Sequence, residues 1–235
     1  VNIQLKDVTL ISIDGVGKDE NHLKALKYSC NQIDFGAVKF LCPTNFGNND
    51  FYTYEKIEPM SYNQYNEFCL IKMADYIDTK YALIVQDDGF VINPSLWKDE
   101  FLNYDYIGAP WPKEHLFFNT RRWPMVHSEL VKSNVTYHVG NGGFCLRSKK
   151  LMNAVKQLYK QEYYEIPEDG LICIGMRSEL ENQGCVFCPF ELARVFSCES
   201  QNVEGIYTQT KDTFGFHGRD THRLDVSRLN SVYLT

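Results

Sequence analysis

The chain has 235 residues, 44% of them hydrophobic and 23% charged, which suits one large globular domain with a real core. Its 24 basic and 30 acidic side chains give a net charge of −6, so no global positive field draws it to nucleic acid or to an anionic membrane. No leader peptide is visible, no apolar run approaches a membrane span, and eight scattered cysteines favour a reducing compartment; the expectation is a cytoplasmic protein with no membrane span.

Residues 8–13 read as a first buried strand ending at Asp14 and Gly15. A helix is expected from about 19 to 33, with Leu23, Leu26 and Cys30 on one face, followed by a strand over 37–41 and a polar loop over 45–50. Ser61 and Gln64 make a capping box that opens a helix running to about Asp78. The apolar run 81–85 is a short, fully buried strand that delivers Gln86, Asp87 and Asp88 to its carboxyl end, where Gly89 lets the backbone turn. Ligands of open α/β sheets bind outside the carboxyl ends of the strands. Carboxylates placed there suit a divalent cation, although a solvated acidic turn accounts for the same residues.

A short helix at 94–95 and a strand over 104–107 come next. Residues 110–136, with three prolines, two tryptophans and two adjacent arginines, show no period and are expected to be an irregular functional loop. Residues 137–139 lead into Asn141, Gly142 and Gly143, where backbone can approach a ligand, and a helix is expected over 148–159. Pro167, Glu168 and Asp169 open another helix that Gly184 ends. The C-x-x-C at Cys185 and Cys188 has no second pair for zinc and reads as a short strand with buried, reduced thiols. Strands alternating with helices indicate one α/β domain over 1–235, with a mainly parallel central sheet flanked by helices.

Several chemistries fail on spacing. After Gly15 and Gly17 a dinucleotide fingerprint needs glycine at position 20, where Glu20 stands. No phosphate-binding P-loop, zinc-protease motif or nucleophile elbow occurs. A strand-end acid, a glycine loop, an acidic pair and a late histidine remain, in that order.

That order resembles the glycosyltransferases of GT-A fold. More closely, the stretches 86–91, 106–111, 140–148, 167–169 and 214–218 resemble a glycosyltransferase-like family long labelled a domain of unknown function. The resemblance runs from about residue 8 to 218, and 113–137 read as an insertion relative to it. It implies a GT-A-like domain that uses a nucleotide-sugar donor, a divalent metal and a hydroxyl acceptor, such as a glycan, in an inverting, hexosyl-type transfer. In that frame Gln86 and Asp88 stand as a DxD motif with glutamine in first place. Asp88 and His217 are then the metal ligands, for Mn²⁺ ahead of Mg²⁺ because imidazole suits it better. Gln86, Asp87 and Asp14 contact the donor. Asn141, Gly142 and Gly143 line the acceptor and donor sugar. Asp169 is the base and Glu168 orients the acceptor. The rival readings are a non-catalytic carbohydrate-binding module on a degenerate transferase fold and a nucleotidyltransferase.

Overall fold

A computed structural model describes residues 2–18, 20–47, 50–199 and 210–218. β1 (Ile3–Ile13) is followed by α1 (Asn21–Ser29), β2 (Ile33–Cys42), β3 (Thr53–Lys56), α2 (Tyr62–Ile71) and β4 (Tyr81–Val85). These four strands run parallel in the spatial order β3-β2-β1-β4. The expected helix over 19–33 is shorter than its periodicity suggests. It stops at Ser29 because Gln32 turns the chain with φ +63° and Ile33 already pairs with Ile3. Asp19, where it was expected to begin, lies outside the described residues. The capping box is present at α2: Ser61 Oγ accepts from Gln64 N, and Gln64 Oε1 accepts from Ser61 N at 2.9 Å. That helix gives way at Lys72 to a 3₁₀ turn, Met73–Tyr76.

The second half supplies β5 (Tyr106–Ile107), β6 (Ala109–Pro112), α3 (Lys113–Asn119), α4 (Pro124–Lys132), β7 (Tyr137–Gly140), β8 (Cys145–Ser148) and α5 (Lys149–Leu158). The irregular loop expected over 110–136 is a strand and two helices. Proline and tryptophan there mark helix starts, with Pro124 in the first turn of α4, rather than a structureless run. The expectation of a mainly parallel sheet is also corrected: the six-stranded sheet is mixed, ordered β3-β2-β1-β4-β8-β5, with β8 antiparallel to both neighbours. β8 was hidden by its shortness and by Arg147 at its third position. β6 and β7 form a separate antiparallel pair.

The remainder is α6 (Glu168–Gly170), a π-helical turn Leu171–Gly175, α7 (Arg177–Asn182), α8 (Phe190–Phe196), β9 (Ser197–Cys198) and β10 (Gly215–Phe216). Gly184, at φ +79°, ends the helical run as expected. Cys185 and Cys188 are buried and unbridged, but only Phe187 between them pairs, in one bridge to Tyr106. Burial pushes the Cys188 thiol up to about 12, which leaves it inert.

Both faces of the sheet are buried, and the strands alternate between two cores. Ile11, Ile13 and Ile84 face one side with α2, α4, α5 and α7, while Val8, Leu10, Leu83 and Val85 face the other with α1 and α8. No water-facing alternation is possible in such strands, which is why they read as continuous apolar runs. Among the described residues no helix is long and apolar enough to cross a membrane.

Candidate functional site

The parallel strands β1 and β4 share one carboxyl edge, since Ser12 stands opposite Val85. Beyond Val85 the chain closes a tight turn in which Gln86 N donates to Gly89 O (2.8 Å) and Gly89 N to Gln86 O (3.1 Å). The turn sends its three polar side chains to different neighbours. Gln86 donates Nε2 to the Tyr65 hydroxyl on α2 (2.8 Å). Asp87 faces α1, its Oδ1 3.7 Å from His22 Nε2, and His22 Nδ1 lies 2.9 Å from Ser12 Oγ. Asp88 Oδ1 lies 3.4 Å from His217 Nε2.

His217 reaches Asp88 because β10 is threaded beside the turn. Val91 bridges to Gly215, His217 N donates to Cys198 O (2.9 Å), and Gly218 N donates to Asp88 O (2.9 Å). Glu199 stands behind the imidazole, its Oε1 3.4 Å from His217 Nδ1, and its other oxygen accepts from Trp111 Nε1. Burial opposes a charge on this ring, but the hydrogen bonds to Asp88 and Glu199 prevail and raise it to about 10. A carboxylate behind one ring nitrogen, as Glu199 stands behind Nδ1, also occurs at metal-binding histidines. Asp88 and His217 carry donor types that suit Mn²⁺ or Mg²⁺, and in this structure they face each other as an ion pair. Among the described residues no group of three His, Cys, Asp or Glu side chains forms a fuller cage.

The antiparallel direction of β8 places the glycine loop at this site, because Cys145, just after the loop, stands opposite Ile84 at the end of β4. Asn141 takes φ +83° and its Oδ1 accepts from Gly143 N (2.7 Å) and Phe144 N (3.2 Å). Asn141 has no exposed surface and shapes the loop from inside. Gly142 and Gly143 are buried against side chains of the site. A Cβ on Gly143 would sit 2.1 Å from His217 Nε2 and 2.7 Å from Gln86 Oε1, and one on Gly142 would sit 1.9 Å from Glu168 Oε1. Any larger residue at either position would displace a site side chain.

The acidic pair divides. Glu168 is 4% exposed and Arg147 1%, and Arg147 Nη2 lies 2.9 and 2.7 Å from the two Glu168 oxygens. Asn66 Oδ1 accepts from Glu168 N (3.1 Å). Glu168 thus neutralises a buried guanidinium, with its carboxylate turned to Arg147. Asp169 is only half-buried. Its oxygens accept from Gly142 N (3.1 Å) and Gly170 N (2.7 Å). Burial, then the nearby Glu168 and Glu199, push its carboxyl up to about 7. It lines a cavity of 290 Å³ with Trp111, Trp123 and Glu199.

Asp14 is tied to its own loop. Its Oδ1 accepts from Val16 N (2.9 Å) and Gly17 N (2.8 Å), and its Oδ2 faces Cys42 Sγ at 3.8 Å. The side chain is buried and holds its own loop closed at the sheet edge.

Residues 52–217 match the family described as a protein of unknown function, DUF5672. The chain belongs to that family. Within the DUF5672 region lie the acidic turn, the glycine loop, the acidic pair and His217, while Asp14 and His22 fall outside it. No curated protein matches the chain. Tyr65, Arg147, Glu199 and His22 were not foreseen. Each meets its partner only through the fold, Trp111 and Glu199 being 88 residues apart in sequence, and no local spacing announces such a pair.

Proposed function

We propose that this DUF5672 protein is a metal-dependent glycosyltransferase of GT-A-like fold, moving a hexosyl-type sugar from a nucleotide-sugar donor to a hydroxyl acceptor with inversion. The observation that carries the reading is the division of labour at one sheet edge. Asp88 Oδ1 and His217 Nε2 approach to 3.4 Å, while Asp169 borders a cavity with its proton affinity raised to about 7. One site would need such groups for a pyrophosphate and for an acceptor hydroxyl.

Asp88 and His217 would hold Mn²⁺ or Mg²⁺, the donor's phosphate oxygens completing the shell as is usual for these cations. When bound, the cation neutralises charge on the departing diphosphate. Gln86 and Asp87 lie on the same turn and would contact the donor. Asp169, in its ionised form, accepts the proton of the acceptor hydroxyl as that oxygen bonds to the anomeric carbon and the nucleoside diphosphate leaves. A base held near neutrality is well matched to that task, and general-base help contributes roughly 10²–10⁴-fold. The backbone N–H groups of Gly142 and Gly170 fix the carboxylate, and Glu168 acts behind it by holding Arg147.

Product analysis tests the reaction class. Incubation with nucleotide sugars, Mn²⁺ and acceptor glycosides should release a nucleoside diphosphate; release of pyrophosphate from nucleoside triphosphate and sugar phosphate would instead identify a nucleotidyltransferase. Glutamine in the first place of the DxD-like turn, at Gln86, favours a second reading, a non-catalytic sugar-binding module. That module would bind carbohydrate with or without metal and leave the donor intact.

A further inference from the structure

We propose that the cavity beside Asp169 is the acceptor subsite, that it takes one pyranose ring from the end of an uncharged glycan, and that Gly170 sets the room available to that ring. This rests on the transferase reading above for its chemistry but on separate observations for its ligand. Gly170 has helical backbone angles, φ −63° and ψ −39°, which any residue adopts. A Cβ built there meets nothing within 4 Å. Glycine is conformationally costly inside helical structure, and no neighbour forbids a side chain here. The contrast with Gly175, one turn on, is direct: a Cβ there would press to 2.7 Å against Met125. Packing explains the absence of a side chain at Gly175 and does not explain it at Gly170, which lines the cavity.

The walls identify the ring. The cavity measures 290 Å³, at the lower edge of ligand pockets (roughly 300–1,000 Å³), room for one ring rather than a chain. Trp111 and Trp123 supply flat carbon surfaces and are fixed by their N–H groups, on Glu199 and on Glu165 O respectively. Asp169 and Glu199 supply acceptors, and His115 and Asn119 line the exposed side. A pyranose has this dual character, with C–H faces that pack on indole and hydroxyls that hydrogen-bond at its edge. No lysine or arginine lines the cavity among the described residues and two carboxylates do, while Arg122 is held on the Trp123 ring, 4.1 Å from its centroid, so the lining favours an uncharged acceptor over a phosphorylated or uronic-acid one.

The test is a ligand-observed NMR titration of the full chain with methyl glycosides of glucose, galactose and N-acetylglucosamine, methyl glucuronide, and benzyl alcohol. It is run with no nucleotide and again with nucleoside diphosphate and Mn²⁺. At least one neutral glycoside should bind, methyl glucuronide should bind about tenfold more weakly or not at all, and Gly170→Leu should weaken the neutral glycoside about tenfold or more with an unchanged melting midpoint. Gly170→Ala, which a helix favours, keeps the comparison available if the leucine variant misfolds, and should show a smaller loss in the same direction. Full affinity in both Gly170 variants, preference for benzyl alcohol or the glucuronide, or no glycoside binding under either condition overturns the proposal. If no glycoside binds but a nucleotide sugar binds with Mn²⁺, this subsite fails and the transferase reading stands. If glycosides bind and respond to Gly170 but no nucleotide sugar does, the transferase reading fails alone.

Discussion

Asp169 keeps its proton to about pH 7 because its carboxyl is partly screened from water by burial and sits beside Glu168 and Glu199, against the pull of two backbone N–H donors. As a base it works only when ionised, so kcat/KM should rise with pH through about 7 and level above it. Asp169→Asn should cut turnover by about 10²–10⁴-fold while donor affinity, measured by titration, is retained. The stability sign follows from the same shift. A carboxyl raised on folding favours the fold fully below the ordinary aspartate range, and that contribution is lost as pH rises through about 7. The melting midpoint of Asp169→Asn relative to the parent should therefore climb between pH 4 and pH 8 (about the range the shift covers). Gly143→Ala is a second probe at this scale. Its Cβ would crowd His217 Nε2 at 2.1 Å, so Mn²⁺-dependent donor binding should fall about tenfold or more, read by calorimetry. The strand-end acid, the glycines, the acidic pair and the histidine were legible because each sits beside a turn or helix start that composition marks. Glu199 and Tyr65 were not, because a residue that matters only for what it touches across the fold leaves no local mark.

Helices and strands decide which of these residues can meet. β8 is the element that matters most, since its antiparallel course brings the loop at 141–143 to the acidic turn after β4. A parallel strand there would have carried that loop to the far edge. Nothing in four residues containing an arginine announces such a strand, and Arg147 is tolerated there because Glu168 lies against it, with Cys145 Sγ and the Tyr106 ring as further partners. Breaking one partner of a buried pair leaves the other charge uncompensated, at about 3–5 kcal/mol. Glu168→Gln should accordingly lower unfolding stability by about that amount in denaturant melts, and any activity loss should track the unfolded fraction. An activity loss with intact stability would give Glu168 a direct part in catalysis. The capping box of α2 lies at the other extreme of legibility, a signal of four adjacent residues that forms as read. Ser61→Ala should cost about 1 kcal/mol without touching activity. The helices at 113–119 and 124–132 were missed because each is under ten residues, set between prolines and tryptophans that stand at their starts, and is too short for a period to declare itself.

Across the whole molecule, two apolar cores clamp the sheet from both sides and leave its carboxyl edge as the place where polar groups gather. The α/β layering was legible from apolar runs alternating with helical patterns; the mixed sheet order was not, because pairing direction depends on where the chain returns rather than on composition. A net charge of −6 also bears on the donor. Such a protein does not attract a nucleoside diphosphate sugar by its overall field, so donor capture depends on the local charge that a cation at Asp88 and His217 would bring. The direct measurement is the thermal shift of the parent and of Asp88→Asn across a set of nucleotide sugars, with Mn²⁺ and with chelator. The account predicts one donor class that raises the parent's melting midpoint only with Mn²⁺, by mass action, and that leaves Asp88→Asn where it was. A shift of equal size in chelator, or in Asp88→Asn, would contradict it.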